Sequence, residues 1–254
     1  EKASWLDVQV AAKVGENFGS IVGPDFQRNE KGDILIDPQT GLPQYDKSNH
    51  VLGNASWDWT GGLLTNLTYK NLSLVAVFDV KVGADLYSMS ARAAYESGKS
   101  PETLAGRDAW YRSEEERLAA GIAKGADNWK PTGGFVAPGV IDNGDGTYRP
   151  NDIYINPEDY WMSVCRNAPS MFIYDNSYVK CRELTLSYNV PKSWLKNVVS
   201  GLTVSFVARN PFIVWKNIPN IDPDSNYNNT TGMGLEYGSL PSRRSYGFNV
   251  NVKF

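Results

Sequence analysis

The chain has 254 residues, of which 41% are hydrophobic and 21% charged, with a formal net charge of −3; that size allows one large or two modest domains, and the composition is not that of a disordered chain. A pI near 5.3 offers no basic face for a phosphate backbone, so no nucleic-acid partner is expected. His50 is the single histidine and Cys165 and Cys181 the two cysteines, which excludes a His-His metal pair, a structural zinc site and a disulfide framework, while apolar runs such as Leu74 to Phe78 fall far short of the roughly 20 residues of a membrane-spanning helix.

Aromatic residues reach 12%, with 14 Tyr and 8 Trp beside 23 Gly and 14 Pro, a bias toward strands and turns. In chain order, a weak strand is expected first, with Leu6, Val8, Val10 and Ala12 alternating with Asp7, Gln9 and Lys13. After a long excursion over residues 15–61, a strand from Gly62 to Tyr69 meets one carrying Leu72, Leu74, Ala76, Phe78 and Val80 at the tight turn Lys70-Asn71.

The longest excursion, residues 83–175, carries helix signals. Ser100-Pro101-Glu102 reads as a cap with Pro at the first helical position, Ser113 with Glu116 as a capping box, and Asn156-Pro157-Glu158-Asp159 as the start of a short helix with acids at its positive end. This segment is expected to be a folded lid. Within it, Asp142-Asn143-Gly144-Asp145-Gly146 resembles the opening of a calcium loop but lacks the later Glu, and reads equally as tight turns. No metal site is expected.

Next come Leu184, Leu186, Tyr188 and Val190 against Glu183, Thr185, Ser187 and Asn189, a turn over residues 191–200, and Leu202, Val204, Phe206 and Ala208 against Thr203, Ser205 and Arg209. A third excursion spans residues 215–241. In it Asp222 and Asp224 flank Pro223; a spacing of two on an extended segment sends side chains to opposite sides, so no chemistry is assigned to them. The last strand sets Tyr246, Phe248, Val250, Val252 and Phe254 against Gly247, Asn249, Asn251 and Lys253.

Short turns on one side and long excursions on the other are the habit of outer-membrane barrels, whereas compact soluble domains seldom carry structureless loops beyond about 15 residues. The wet faces, with Asp79, Lys81, Glu183 and Arg209, suit a water-filled lumen better than a sandwich core. About six strands cannot close a barrel, the smallest of which need about 8. A self-contained β-sandwich with its polar faces outward remains the alternative on pattern alone.

With these residues placed, the chain resembles the C-terminal part of a SusC/RagA-type TonB-dependent outer-membrane transporter. The stretches that carry the likeness are Gly-Asn-Ala-Ser-Trp-Asp-Trp-Thr-Gly-Gly at 53–62, Tyr-Lys-Asn at 69–71, Gly-Ala-Asp-Leu-Tyr-Ser at 83–88 and Asp-Asn-Ser-Tyr-Val-Lys-Cys-Arg-Glu-Leu-Thr-Leu-Ser-Tyr-Asn-Val-Pro at 175–191. Ala-Arg-Asn-Pro-Phe at 208–212 and Ser-Leu-Pro-Ser-Arg-Arg-Ser-Tyr-Gly-Phe at 239–248 complete the family's order. Ser56 and Trp57 stand where the family usually has Pro or a similar residue before Asp-Trp, and Cys181 where it has Leu.

The resemblance implies an all-β fold: the C-terminal strands of a large antiparallel transmembrane β-barrel of about 22 strands, with long extracellular loops carrying short helices. It places the plug, the TonB-contacting segment and the remaining wall upstream of Glu1, which reads as a processed start or an internal cut. It further implies import of oligosaccharides or peptides across the bacterial outer membrane, under a SusD-like surface lipoprotein and powered through the plug by the TonB complex, with no enzyme activity and no cofactor. Asp79, Lys81, Glu183 and Arg209 would line the lumen against outer-membrane lipid on the other face. Tyr246, Phe248, Val250, Val252 and Phe254 look like the stripe and aromatic terminus read by barrel-assembly machinery.

Trp110, Trp129, Trp161 and Tyr148 would lie in the outer excursion, where aromatic faces stack on sugar rings or pack within the lid or against the lipoprotein. A bridge between Cys165 and Cys181 stays open. Two other functions remain on the sequence: a secreted glycan-binding or adhesive sandwich, and a glycoside hydrolase, for which no pair of carboxylates about 5 to 9 Å apart is marked.

Overall fold

A computed structural model describes residues 3–5, 7–195, 199–225 and 232–254; Leu6 and part of the third excursion lie outside them. The first expected strand is a hairpin. β1 (Ala3–Trp5) and β2 (Val8–Ala11) turn at Asp7, whose φ is +70°, and with β3 (Ser20–Phe26) and β4 (Tyr45–Asn54) they form a four-stranded antiparallel sheet. This sheet occupies part of the stretch expected as an excursion. β3 shows no alternation because it is buried on both faces, and the polar sequence of β4 gives no apolar stripe.

β5 (Trp59–Tyr69) and β6 (Leu72–Val82) form the expected hairpin about Lys70-Asn71, with Lys70 at φ +54°. Beyond them a folded head contains β7 (Asp85–Ser88), α1 (Met89–Glu96), α2 (Arg107–Ala119), β8 (Phe135–Val136), β9 (Val140–Asp142), β10 (Tyr148–Pro150), β11 (Tyr154–Ile155), α3 (Pro157–Asn167) and β12 (Ile173–Asp175). The chain then returns through β13 (Tyr178–Asn189), β14 (Gly201–Lys216), β15 (Leu235–Glu236) and β16 (Ser245–Lys253).

The expected start of α3 is realised: the Asn156 side chain accepts the Glu158 N–H, with Pro157 in the first turn. Pro101 likewise opens a short 3-10 turn, although Ser100 makes no side-chain cap. The expected box of Ser113 and Glu116 is not a cap. Both lie inside α2, which starts after Gly106, and they hold residue 132 instead: the Thr132 N–H donates to Ser113 Oγ and the Thr132 hydroxyl to Glu116. The 142–147 stretch is a turn between β9 and β10, closed by Asp142 accepting from the Gly144 N–H and Asp145 from the Thr147 N–H.

β16, β14, β13, β6 and β5 make one antiparallel wall in that order. Its register puts Leu67, Leu74, Leu186, Phe206 and Phe248 in a row across all five strands, with Tyr69, Leu72, Tyr188, Val204 and Val250 in the row beside it. Opposed side chains 4.5–5.5 Å apart at Cβ are the units that stabilise a sheet, so the alternation in each strand becomes one continuous apolar face. That face is uncovered: Leu67 is 60% exposed and Phe248 79%. A soluble monomer rarely exposes so large a contiguous apolar patch.

Aromatic residues mark both ends of this face, Trp59 and Trp215 at one and Tyr69 and Tyr188 at the other, all exposed. From Trp59 to Tyr69 the rise is roughly 34 Å along the strand at about 3.4 Å per residue, which at a tilt of about 40° spans roughly 26 Å, close to the height of the apolar band of an outer-membrane barrel. The opposite face carries Thr68, Ser73, Ser187, Ser205 and Asn249 in one row.

The head buries two apolar clusters, one around Phe26, Ile36, Ile141, Tyr160, Trp161 and Val164, the other around Val8, Ile21, Tyr87, Cys165, Phe172 and Leu235. Each contains residues of the four-stranded sheet and of α3, so sheet and helix share their cores. Burial of each such side chain stabilises by about 1.5–3 kcal/mol. Two stretches of the resemblance, 83–88 and 175–191, meet here: Asp85, Leu86 and Tyr87 pair with Asp175, Tyr174 and Ile173, and the Gly83 N–H donates to Ser177 Oγ at 3.0 Å.

Candidate functional site

On the polar face of the wall the register sets Asp79 opposite Lys180, Lys81 opposite Tyr178, and Glu183 opposite Arg209. Asp79, Lys81, Glu183 and Arg209 therefore share one face, as expected from alternation. Glu183 and Arg209 stand 3.6 Å apart with Arg209 largely exposed, and Lys81 lies over the Trp57 ring. The face is not uniformly wet, since Leu64 and Val77 share the row of Glu183 and Arg209, and Val75 and Val207 lie in the row beside it.

Near the head the pairing of β13 slips between Cys181 and Glu183 against both neighbours, a bulge that gives Arg182 an extra position. Lys180 and Arg182 there become the centre of an ion cluster. The Lys180 ammonium, 2% exposed, donates to Asp222 at 3.2 Å and Asp224 at 2.6 Å, and the Arg182 guanidinium bridges Asp79 and Asp224. The Tyr178 hydroxyl donates to Asp224 at 2.9 Å, and Ser242 contacts both Lys180 and Asp222. Taking these charges out of water is costly unless every one is met, and here each carboxylate has a cationic partner.

Burial pushes the Asp224 carboxyl up, but hydrogen bonds from Arg182 and Lys180 outweigh it and hold it well below the usual carboxylate range. Asp222 behaves alike: burial raises it, and the Ser242 hydroxyl, the Asp224 N–H and Lys180 bring it down. The cluster pins the segment after β14 onto the wall, with the buried Asn176 side chain donating to the Pro223 carbonyl as a further tie.

This corrects the expectation that Asp222 and Asp224 point apart. The segment is a turn, in which the Asp224 N–H donates to Asp222 Oδ1 at 3.0 Å, so both carboxylates reach Lys180. The Asp-Pro-Asp sequence is itself a turn signal that could have indicated this. Lys180 and Arg182 were inside the stretch of resemblance, but their role depends on a bulge that alternation does not show.

In the head, two clefts flank Trp110. One, of about 260 Å³, is lined by Tyr95, Glu96, Arg107, Tyr111, Glu158 and Trp161 among others; the second, of about 580 Å³, by Thr40, Tyr154, Asp159, Ser163 and Arg166 among others. Trp110, Asn156 and Met162 line both. Trp161 is mostly core, 8% exposed, with its ring 4.8 Å from Tyr95 and 4.9 Å from Tyr160. Trp129 is half-buried and Tyr148 exposed in β10, and neither lines these clefts.

Cys165 and Cys181 are both free and buried, so the bridge left open by the sequence is not formed. Cys165 sits in a core of the head and Cys181 in the wall opposite Phe78 and Phe212. Burial pushes the Cys165 thiol up to about 12. No metal-binding group of His, Cys, Asp and Glu occurs among the described residues. Tyr246, Phe248, Val250 and Val252 line the apolar side of β16, and Phe254, 97% exposed, lies one residue beyond it.

An uncovered apolar band with aromatic ends, a polar reverse face and a folded head define a wall of the transmembrane β-barrel class. No family model matches the chain. TonB-dependent receptor P3 of Formosa agariphila is 24% identical over 213 residues, covering 80% of this chain and 17% of that protein. Among solved structures, the RagAB peptide importer in its closed-closed state aligns with a TM-score of 0.56 at 16% identity, over all of this chain and 25% of the other, and its open-open state with 0.51 at 17% identity, over all of this chain and 24% of the other. The chain thus spans about a sixth of the curated relative and a quarter of the structures. The chain is thus similar in sequence to part of a TonB-dependent receptor and in fold to part of the RagAB importer.

Proposed function

We propose that the chain contributes wall and extracellular head to an outer-membrane barrel of about 22 strands that imports oligosaccharides or peptides, working with a SusD-like surface lipoprotein and powered by the TonB complex through a plug. The observation that carries this reading is the two-faced wall: five strands with one face apolar from Trp59 to Tyr69 and the other bearing Asp79, Lys81, Glu183 and Arg209. A lipid-facing surface and a water-lined lumen account for both. The chemistry is passage, not catalysis, and needs neither covalent step nor cofactor. In this reading the excursions over 15–61, 83–175 and 215–241 face outward, Trp110 and Tyr148 are available to cargo or lid, and Tyr246, Phe248, Val250, Val252 and Phe254 serve barrel assembly.

A secreted sandwich would cover the apolar rows with a second sheet, and the exposure of Leu67 and Phe248 argues against it. The test is purification of the full-length protein from outer membranes in detergent, with a native gel and intact mass, beside uptake of labelled oligosaccharides and peptides by cells with and without TonB. Co-migration with a lipoprotein and TonB-dependent uptake are expected. A detergent-free monomer, or uptake unchanged when the protein is deleted, would overturn the reading.

A further inference from the structure

We propose that the cleft between α1, α2 and the start of α3 binds a small organic cation, an alkylated ammonium, held against the Trp110 and Tyr111 rings with the Glu96 and Glu158 carboxylates as its counter-charges. The site does not rest on the import reading; its ligand follows from the lining of the cleft.

The cleft has a volume of about 260 Å³ and brings Tyr95 and Glu96 from α1, Trp110 and Tyr111 from α2, and Glu158 from α3 into one lining. Tyr95 rests on the core through Trp161, with ring centroids 4.8 Å apart. The six-membered ring of Trp110 lies close to Gly134, where an added Cβ would stand 3.1 Å from Cε3, so the indole is fixed in place. Among the described residues no other ring packs on Trp110 or Tyr111.

A cation over an aromatic face is attracted by the ring quadrupole, and this chain uses that contact four times with its own residues: Arg28 over Phe26, Lys70 over Tyr69, Lys81 over Trp57 and Arg182 over Tyr178. No Lys or Arg among the described residues stands over Tyr95, Trp110 or Tyr111. The nearest candidate, Arg107, is held by the backbone instead, its Nε donating to the Thr103 carbonyl and its Nη2 to the Gly98 carbonyl and the Thr103 hydroxyl.

The charges of the lining favour the same ligand. The Glu96 and Glu158 side chains make no hydrogen bond or ion pair among the described residues, and Glu102 adds a third carboxylate beside the Tyr95 hydroxyl. Arg107 is the single cation of this lining. An anion is repelled here, and a neutral hydroxyl compound can donate to the carboxylates but neutralises neither. A metal ion gains little from the rings and finds no group of three His, Cys, Asp or Glu ligands among the described residues. An alkylated ammonium meets both features at once. Its charge is spread over carbon-bound hydrogens that suit a ring face, and it gives up water more readily than a bare ammonium, which is strongly hydrated.

The test is calorimetric titration of the intact transporter in detergent with choline, beside 3,3-dimethyl-1-butanol, which has the same shape without the charge, and with hexalysine. We expect choline to bind and the butanol not to. Trp110→Ala should weaken choline at least about tenfold and Trp110→Phe less, while Glu96→Gln and Glu158→Gln each weaken it about two- to fivefold; both carboxylates are exposed, so these two variants keep the wild-type melting temperature and read the site even if Trp110→Ala does not fold. No binding of choline up to about 10 mM, equal binding of the butanol, binding of hexalysine alone, or full binding by both glutamine variants would overturn the site. Choline binding without TonB-dependent uptake of oligosaccharide or peptide would keep the site and remove the import reading; such uptake without choline binding would do the reverse.

Discussion

Lys180 and Asp224 lie 44 residues apart in the chain and 2.6 Å apart in the fold, joining the polar face of β13 to the turn that follows β14. With Asp222, Arg182 and Asp79 they make a closed set of charges whose members depend on one another. A buried ion pair is weak evidence of net stabilisation, but removal of one partner leaves the others uncompensated.

Lys180→Met should therefore destabilise by about 3–5 kcal/mol and release the segment around Asp222. Limited proteolysis of the full-length protein should show a new cut between β14 and β16, and thermal melting an earlier first transition. An unchanged digestion pattern would show that the cluster does not hold the segment.

Acid should do the same reversibly. The carboxyls of Asp222 and Asp224 are lower in the folded protein than in the unfolded chain, so the unfolded state takes up protons first as pH falls. Their stabilisation is complete above the ordinary aspartate value of about 3.9 and is lost progressively below it. Hydrogen exchange of residues 217–225 should be flat from neutral pH to about 5, after correction for intrinsic rates, and rise below about 4. A rise already near pH 6 would mean another group controls the segment.

Leu186 and Ser187 are neighbours on opposite faces of β13, Leu186 in the apolar row with Phe206 and Ser187 hydrogen-bonded to Ser205 at 2.8 Å. Leu186→Arg should cost about 2–4 kcal/mol if that face meets the middle of a bilayer and sharply lower the amount recovered from outer membranes. Ser187→Arg should be recovered nearly as wild type. Equal loss in both would contradict the assignment of faces.

The Cys165 thiol, buried beside Tyr87 and Phe172 with its pKa pushed up to about 12, should resist maleimide at pH 8 in the native protein and react once denaturant is added. Fast native labelling at this position would mean that the core of the head opens.

The alternation of Leu72 to Val80, Leu184 to Val190, Leu202 to Ala208 and Tyr246 to Val252 was enough to define the wall strands and their two faces, because side chains on a strand alternate with a period of two whatever the strand pairs with. Sequence likewise located α3, whose cap is a contact between residues two apart. It did not reveal β3, since a strand buried on both sides has no polar phase to read, nor the role of Ser113 and Glu116, whose partner is Thr132. The ion cluster and the groove at Trp110 were decided by tertiary structure alone. A bulge, a proline turn and the approach of segments tens of residues apart brought Asp79, Lys180, Arg182 and Asp224 together, and the packing of α1, α2 and α3 set Trp110 between two clefts; no local pattern encodes which distant charge or ring will meet another.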